Sequence, residues 1–393
     1  MDTEDKITVL SSMDVYLPLM DGVVNCMHNT IKSYSSLIDP IAFVPRAKHF
    51  DYDSLPYRTI TYKAHSVPFT KDTYFGFPSF DKKAINQLMD TKIDIIHMHS
   101  CFGTMKELTK IARIKNIPIV ATFHTNYRMV FKKILLLKCF YEPYIQTLGR
   151  RYSKMDLVFA GSGATENQLR SFGYNKDVKV IPFGIGYEKP NKQMIEKLSK
   201  EANEKFNLSE NEFVFSFVGR VVESKRIQFS LKALKKIKDQ GFKFKFIICG
   251  KGNYLAQIKD LIKKLDLQDD VLFLGYVEDI DLGRVYARSN LFLFPSLLDN
   301  FGLVKVDAAA FETPSLMIKD SNSAYGTEHL HNSIVIDDDL DSYVDMLKQV
   351  LNGSIDVDLI GINAYNELCF TWEENTRELE KEYRRLIKEY KEK

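Results

Sequence analysis

The sequence has no hydrophobic run long enough to cross a membrane, since no stretch approaches the ~18 apolar residues of a spanning helix. It also has almost no excess of charge: 54 basic and 52 acidic side chains leave a formal net charge of +2, which gives no reason to expect nucleic-acid binding. The cysteines are scattered, with neither a metal-ligand spacing nor a disulfide framework: Cys26, Cys101, Cys139, Cys249 and Cys369. We therefore expect buried thiols in a reducing compartment.

The first residues also lack the features of an export signal. MDTEDKITVL is acidic and then becomes a strand, whereas a signal peptide has a basic start and an apolar centre. Hydrophobic side chains make up 45% of the chain and charged ones 27%, as in soluble globular enzymes. We expect a cytoplasmic protein, and 393 residues suit two domains better than one core.

Short β-branched or aromatic runs alternate with amphipathic stretches along the whole chain. This pattern predicts an α/β fold whose parallel sheets are covered on both faces. The predicted strands are 7–11, 41–45, 58–62, 94–98, 118–123, 156–160, 178–181, 213–218, 244–249, 271–274, 291–294, 315–318 and 334–336. Predicted helices include 226–240 and 254–265. The expected architecture is a pair of doubly wound, Rossmann-like domains that face each other across a cleft.

The domain boundary is predicted from a break in this pattern. Residues 184–212 begin Gly-Ile-Gly and continue with mixed charge, which makes them the best linker candidate, and the strand pattern restarts after them. We expect a first, acceptor-binding domain at 1–187 and a second, donor-binding domain at 188–374. The charged, helical segment 375–393 has no strand after it, and we expect it to pack back on the first domain.

Two basic side chains follow the first strand of the second domain. The run GRVVESK at 219–225 stands between this strand and a helix, and parallel α/β sheets bind ligands where their strands end. Arg220 can fork onto phosphate oxygens and Lys225 adds a point charge, so the pair suits a diphosphate. Taken alone, such a run is more readily a loop of solvated charges. Two further turns follow it in order, however: CGKG at 249–252 and DNFG at 299–302.

A turn with a carboxylate follows the strand at 291–294. In PSLLDNFGLVKVD, at 295–307, Asp299 and Gly302 precede what reads as a helix, and a second carboxylate, Asp307, comes eight residues after the first. Backbone N–H groups at a helix N-terminus attract a phosphate. The neighbouring carboxylate suits a group that is bonded to this phosphate and must be oriented.

The ordered runs FVGRVVESK, FIICGKG, FLGYV and LFLFPSLLDNFGLVKVDAAA resemble the donor domain of family-4 retaining glycosyltransferases of the GT-B type. YLPLMDGVV, DIIHMHS, ATFHTNY and VKVIPFGIG resemble the acceptor half of the same family. The resemblance implies transfer of a hexose from a nucleotide-sugar, UDP-glucose or similar, with retention. It implies no cofactor and no metal, because no Asp-x-Asp stands at a strand end and two cations can neutralise the leaving group.

The resemblance also implies a role for residues in both halves. Asp299 would contact the transferred sugar, Asp307 the ribose hydroxyls, and the amides after Asn300 the distal phosphate. The implied catalytic residues are Asp299, His124, Arg220 and Lys225. The implied donor-binding residues are Gly22, Gly219, Arg220, Lys225, Gly250, Tyr276, Asn300, Phe301, Gly302, Leu303 and Asp307. For His97 we expect a hydrogen-bonded core position, and for His99 a structural or acceptor-lining one.

The chain departs from the family pattern at several positions. Asp299 and Asp307 stand where the signature has Glu, which withdraws each carboxylate by roughly 1.5 Å. Both therefore need compensation from the backbone to keep their hydrogen bonds. The other departures are Asp21 and Glu312 where glycine is usual, Phe183 where asparagine is usual, and Tyr187 where aspartate is usual.

Two features bear on the acceptor. YLPLMDGVV and ATFHTNYRMVFKK resemble most the branch that glucosylates diacylglycerol, and between residues 101 and 155 eleven basic side chains stand against two acidic ones. Segment 128–144 places an apolar stripe beside basic side chains: Val130, Ile134, Leu137 and Tyr141 beside Arg128, Lys132 and Lys133. Such a helix is attracted to anionic lipid. The stripe equally suits a helix that faces the core and keeps its lysines in water.

The expected function is thus a hexosyltransferase that acts on a lipid such as diacylglycerol, peripheral on the inner face of the cell membrane. Two alternatives remain. The same chemistry could serve a saccharide or polyprenyl-linked acceptor in cell-surface polysaccharide assembly. The two shortened carboxylates also make a weakly active, sugar-nucleotide-binding partner subunit credible.

Overall fold

The computed structural model of the chain describes residues 5–68, 70, 72–124, 127–128, 131, 138–185, 189–277, 279–299 and 302–392, without the side chains of 138–140 and 279. The chain divides into two compact units. One consists of Met1–Gly184 together with Trp372–Lys393, and the other of Ile185–Thr371. The C-terminal helix therefore belongs to the first unit.

The first unit is built around a parallel sheet. Its strands are β1 (Ile7–Ser12), β2 (Ile38–Pro45), β3 (Arg58–Tyr62), β6 (Ile95–Met98), β7 (Ile119–Phe123), β8 (Leu157–Ala160) and β9 (Val178–Val180), with a small hairpin of β4 (His65–Ser66) and β5 (Tyr74–Phe75). The sheet order is β3-β2-β1-β6-β7-β8-β9, and the pairings are parallel. The chain order reverses at β1, which places a crevice at the end of that strand.

Helices cover both faces of this sheet. They are α1 (Gly22–Lys32), α2 (Lys82–Asp90), α3 (Gly103–Lys115), α4 (Lys138–Tyr152), α5 (Gly163–Arg170) and, from the end of the chain, α13 (Trp372–Lys391). Helix α13 is held by its buried side chains: the hydroxyl of Tyr383 lies 2.6 Å from His97 Nδ1 and 3.0 Å from the hydroxyl of Tyr34. His97 Nε2 lies 2.7 Å from the hydroxyl of Thr122, so the predicted core position of His97 is confirmed.

The second unit repeats this plan. Its strands are β10 (Val214–Val218), β11 (Lys245–Cys249), β12 (Val271–Gly275), β13 (Leu291–Phe294), β14 (Ser315–Ile318) and β15 (Ile334–Ile336), in the parallel order β12-β11-β10-β13-β14-β15. Its helices are α6 (Lys192–Phe206), α7 (Ile227–Lys238), α8 (Leu255–Lys264), α9 (Asp279–Arg288), α10 (Leu303–Ala309), α11 (Leu340–Leu351) and α12 (Val357–Leu368). Strand β10 is the switch point, because its neighbours β11 and β13 lie on opposite sides of it.

The central strands read as continuous apolar runs because both of their faces are covered. Every residue of β10 and of β13 is buried, which is the pattern of a parallel sheet packed between helices. Each predicted strand is present within one residue of its predicted ends, apart from the start of β2, which begins at Ile38. The prediction of two Rossmann-like α/β domains is therefore confirmed.

The predicted linker at 184–212 is wrong in one respect, because it contains helix α6. Asn191 caps this helix by accepting a hydrogen bond from the amide of Met194 at 2.9 Å. The helix packs along α9, where Arg284 binds Glu201 at 2.7 Å and Asp281 binds Lys205 at 2.6 Å. Most of its charged side chains are exposed to water and only a few apolar ones are buried, so the sequence of this amphipathic helix resembles that of a linker.

Four of the cysteines, Cys26, Cys101, Cys249 and Cys369, are buried free thiols, as predicted. The side chain of Cys139 lies outside the described part. Within the residues described, none of the helices has the length and apolar character that crossing a membrane would require.

Glu312 occupies a backbone conformation that favours glycine. It ends the turn between α10 and β14 with φ at 56°, and its amide donates to the carbonyl of Ala309 at 3.0 Å. In the left-handed region the Cβ of an L-residue crowds the backbone, whereas glycine has none. This explains in physical terms why a glycine is usual at this position.

Glu312→Gly is accordingly expected to raise the free energy of unfolding by roughly 1 kcal/mol, because it removes the left-handed strain. Chemical denaturation of the purified variant measures this directly. Glu312→Ala is the matched control, since it removes the carboxylate but keeps the Cβ. Equal stabilities of the two variants would contradict the explanation.

Candidate functional site

Three turns meet at the carboxyl end of the second sheet, and their backbones touch. The amide of Gly219, after β10, donates to the carbonyl of Cys249 at 3.0 Å, and the amide of Gly250, after β11, donates to Gly275, at the end of β12, at 2.6 Å. A Cβ on Gly250 would lie 1.8 Å from the carbonyl oxygen of Gly219. The two predicted glycines are thus brought together, and Gly250 is required by the contact between the turns.

The side chains of these turns project from the contact. Arg220 is exposed, and its guanidinium forms no hydrogen bond with any residue that the structure describes. Tyr276, which follows β12, is also exposed, and the Lys251 amine lies 5.1 Å from the centre of its ring. As far as the structure describes the chain, this edge of the sheet presents a guanidinium without a hydrogen bond and an aromatic face with a cation upon it.

The predicted cation Lys225 and the predicted carboxylate Asp299 form an ion pair with each other. The Lys225 amine donates to Oδ1 of Asp299, and the two side chains are only 14% and 20% exposed. The same amine lies 5.2 Å from the ring centre of Phe294, the last residue of β13. An ion pair at this burial is screened less than a surface pair and is correspondingly stronger.

The second oxygen of this carboxylate has a different environment. Oδ2 of Asp299 is buried and has no hydrogen-bond partner among the described residues. A buried carboxylate oxygen without a donor is costly, so such atoms commonly mark a place that a ligand completes. Asp299 can therefore hold Lys225 with one oxygen and accept a hydrogen bond from a bound molecule with the other.

Further bonds tie the turn after β10 to the turn after β13. Ser296 Oγ donates to the carbonyl of Ser224 at 3.3 Å, and the Arg226 guanidinium reaches the carbonyl of Pro295 at 3.5 Å and Asp338 at 2.6 Å. In the chain, Ser224 and Arg226 flank Lys225 on either side. The position of the pair is thus fixed by the fold rather than by the two side chains alone.

Helix α10 begins directly after this turn. Gly302 caps it with φ at 73°, and a Cβ there would lie 3.0 Å from both Phe294 and Ser323. Leu303 is the first helical residue, and Asp307 lies partly buried one turn further on. Asn300 and Phe301, both predicted donor-binding residues, lie outside the described residues.

The remaining predicted site residues belong to the first unit. Gly22 opens α1, and a Cβ added there would meet nothing within 4 Å. The carboxylate of Asp21 caps this helix, accepting from the amides of Val23 and Val24 at 2.9 Å each. The aspartate that replaces a glycine of the family pattern is therefore the N-cap of α1.

His124 follows β7 inside a stack of aromatic rings. Its ring lies 5.2 Å from that of His99 and 5.3 Å from that of Phe183, and Phe183 stacks in turn on Trp372 of α13 at 6.4 Å. His124 Nε2 and His99 Nδ1 share a hydrogen bond of 3.0 Å. Burial lowers the pKa of His124 to about 3, so the ring is neutral at pH 7.

The aromatic stack and the burial of one further residue were not predicted from the sequence. Phe183 was noted only as a departure, although it supplies the ring between His124 and Trp372. Lys305, two residues before Asp307, is buried to 4% exposure and was not considered. A lysine within the apolar stretch LVKV was the signal available for it.

Most of the basic stripe at 128–144 lies outside the described residues, including Val130, Lys132, Lys133, Ile134 and Leu137. Two of its described members are engaged in the fold. Arg128 binds Glu142 at 2.7 Å and the Ser171 carbonyl at 2.8 Å, and Tyr141 is buried in the core of the first unit. These two side chains are therefore engaged within the first unit.

Comparison with known proteins agrees with this geometry. Residues 20–189 match the family model "Glycosyltransferase Family 4", and residues 199–367 match "Glycosyl transferases group 1". Together the two models span both units. The chain belongs to the family-4 glycosyltransferases.

Individual members of the family resemble the chain along most of its length. An alpha-monoglucosyldiacylglycerol synthase of Streptococcus pneumoniae is 26% identical over 82% of this chain and 71% of its own. A protein of the same name from Acholeplasma laidlawii is 23% identical over 78% of this chain and 79% of its own. The structure of HepE from Anabaena in complex with UDP superposes with a TM-score of 0.75 at 17% identity, over 97% of this chain and 100% of the other. The GT-B fold predicted for this glycosyltransferase is confirmed.

Lys225→Met tests the role of the ion pair in sugar transfer. It is expected to lower kcat/KM by about 100-fold or more, because it removes a charge-assisted contact that strengthens as the leaving group becomes charged. Asp299→Asn is expected to lose most activity and to leave nucleotide affinity within a few-fold, because the freed Lys225 can still bind phosphate. Steady-state kinetics and calorimetric titration of the nucleotide measure the two effects.

Lys235→Met is the matched control, since Lys235 forms an ion pair with Asp239 on the surface of α7. It should leave both measurements unchanged. A folded Lys225→Met variant with wild-type turnover would remove Lys225 from the site.

Proposed function

We propose that this glycosyltransferase moves a hexose from a UDP-sugar, UDP-glucose or similar, to diacylglycerol or a related lipid with retention of configuration. The observation that carries the proposal is the divided environment of Asp299. One carboxylate oxygen binds Lys225, and the other is buried at the carboxyl end of the sheet with no hydrogen-bond partner among the described residues. This arrangement suits a sugar hydroxyl beside a diphosphate.

The donor half of the proposal rests on charge at the switch point of the second sheet. Arg220 and Lys225 supply two cations beside β10, where doubly wound sheets bind nucleotides. The exposed ring of Tyr276 provides a flat apolar face at the same edge for a base. UDP is favoured as the nucleotide because HepE, which shares the fold, binds UDP in its crystal structure.

The mechanism follows from the same residues. As the bond between the anomeric carbon and the phosphate oxygen breaks, Arg220 and Lys225 neutralise the diphosphate, so the proposal needs no metal ion. The acceptor oxygen bonds to the anomeric carbon from the face that the phosphate leaves, and its proton passes to a phosphate oxygen. Neither Asp299 nor neutral His124 has to act as a strong base. Asp299 accepts a hydrogen bond from a hydroxyl of the sugar. His124 lies on the side of the acceptor.

The acceptor half of the proposal has two supports. Both relatives described above are named as synthases of a glucosylated diacylglycerol. In addition, the first unit carries an exposed aromatic cluster: Phe80 is 81% exposed and Phe77 is 50% exposed, with ring centres 6.1 Å apart. The exposed Lys82 and Lys83 follow after the buried Asp81, which caps α2. Aromatic rings beside lysines suit the surface of an anionic membrane.

One observation favours the second candidate, a saccharide or polyprenyl-linked acceptor. Several basic side chains of segment 101–155 form contacts within the first unit. Arg128 is bound to Glu142, the Arg151 guanidinium donates to the Cys101 carbonyl at 2.7 Å, and the Lys115 amine donates to the Met89 carbonyl at 2.7 Å. These three side chains keep their charge but are held within the first unit, so they are less free to reach a membrane surface.

UDP release over a panel of UDP-hexoses, with and without diacylglycerol vesicles, tests the proposal. The expected result is that UDP release requires the vesicles. The NMR signal of the anomeric proton should show that the product keeps the configuration of the donor sugar. Release that requires a soluble saccharide would instead select the second candidate. Nucleotide binding without turnover on any acceptor would identify a partner subunit and contradict the proposed activity.

Membrane binding by the aromatic cluster gives a separate prediction. The double variant Phe77→Ser and Phe80→Ser is expected to weaken co-sedimentation with anionic vesicles by roughly tenfold or more. The reason is that two exposed aromatic rings, which would insert into the membrane surface, are lost. Transfer to a short-chain, soluble lipid should persist. Lys132→Glu with Lys133→Glu, in the other predicted segment, tests whether that segment binds the same vesicles.

Ile114→Ser is the control, since Ile114 is an exposed apolar side chain on α3 of the same unit. It should leave vesicle binding unchanged. If the wild-type protein does not bind anionic vesicles even at low salt, the proposal of a lipid acceptor is wrong. The proposal of a saccharide acceptor is then favoured.

A further inference from the structure

Lys305 carries a charge where the fold has little water. It lies in the first turn of α10, between the two acidic positions of the signature, and it is only 4% exposed. Burial lowers the pKa of its amine to about 8. A buried ammonium is costly unless several acceptors surround it, so its partners indicate what the residue does.

Two partners of the amine are backbone carbonyls of one loop. Lys305 Nζ donates to the carbonyl of Ser323 and lies 3.4 Å from that of Tyr325. Both residues belong to segment 321–327, a series of turns after β14 that is neither helix nor strand. Carbonyls that point toward one ammonium group fix the path of a loop whose backbone has no regular hydrogen bonding of its own.

The loop held in this way lies against the start of α10. A Cβ on Gly302 would be 3.0 Å from the Cβ of Ser323, so Ser323 is packed on the residue that caps the helix. Within the loop, the hydroxyls of Ser321 and Ser323 are 3.0 Å apart and the amide of Ala324 donates back to Ser321. The side chain of Tyr325, in the same loop, is exposed. Lys305 therefore sets the distance between the loop and the turn that contains Asp299.

We infer that Lys305 is a positioning residue of the donor site: it holds loop 321–327 against Gly302 and so shapes the wall beside the transferred sugar and the distal phosphate. The inference rests on the proposed function, since it assumes that a nucleotide-sugar binds at Asp299. It assigns to Lys305 an effect on donor binding that a residue serving only the stability of the core would not have.

Lys305→Met, which keeps the length of the side chain and removes the charge, tests this role. The KM for the UDP-sugar is expected to rise roughly tenfold or more per folded enzyme, as when a charged hydrogen bond is lost, while the KM for the acceptor stays unchanged. Lys305→Arg, which keeps a charged donor, should recover part of the donor affinity. Lys319→Met is the control, because Lys319 is an exposed lysine at the start of the same connection that pairs with Asp337. Reduced stability with an unchanged donor KM would overturn the inference.

Amide hydrogen exchange of the wild-type protein keeps the test decisive if Lys305→Met does not fold. Added UDP-glucose is expected to slow exchange in 219–225 and also in 321–327. Slower exchange in 219–225 alone would overturn the role of the loop and leave the proposed function intact. No change in either segment would overturn both.

Discussion

The ion pair between Lys225 and Asp299 is the interaction on which the candidate site depends. It joins the turn after β10 to the turn after β13, the neighbours at the switch point of the second sheet. Its members are largely buried, so the pair is electrostatically strong and places a cation and a carboxylate at a fixed spacing. Although the side chain of Asp299 is one methylene shorter than that of glutamate, its carboxylate reaches the Lys225 amine.

The close approach of the backbones makes this arrangement possible. Gly250 must lack a Cβ because the carbonyl of Gly219 occupies that space, and Gly302 fits between Phe294 and Ser323. With the turns in contact, their polar groups converge on one edge instead of spreading over the surface. The chemistry of the site is thus a consequence of where parallel strands end and of how tightly their turns pack.

The strands and the order of the turns were predictable from the sequence, because buried β-branched runs bounded by glycine have few other solutions. Arg220, Lys225 and Asp299 could be placed at one sheet edge for the same reason. The pairing of Lys225 with Asp299 could not, since it depends on distances between separate turns. Helix α6 was not predicted because it has few buried apolar side chains among many exposed charged ones. Lys305 was not predicted to be buried because burial of a lysine is decided by tertiary packing.

A crystal structure of the protein with an intact UDP-sugar tests the central claim most directly. The expected result is that Lys225 and Arg220 contact the diphosphate and that Oδ2 of Asp299 accepts a hydrogen bond from a hydroxyl of the sugar. A donor bound elsewhere, with the Lys225–Asp299 pair unchanged and Oδ2 still without a partner, would contradict it.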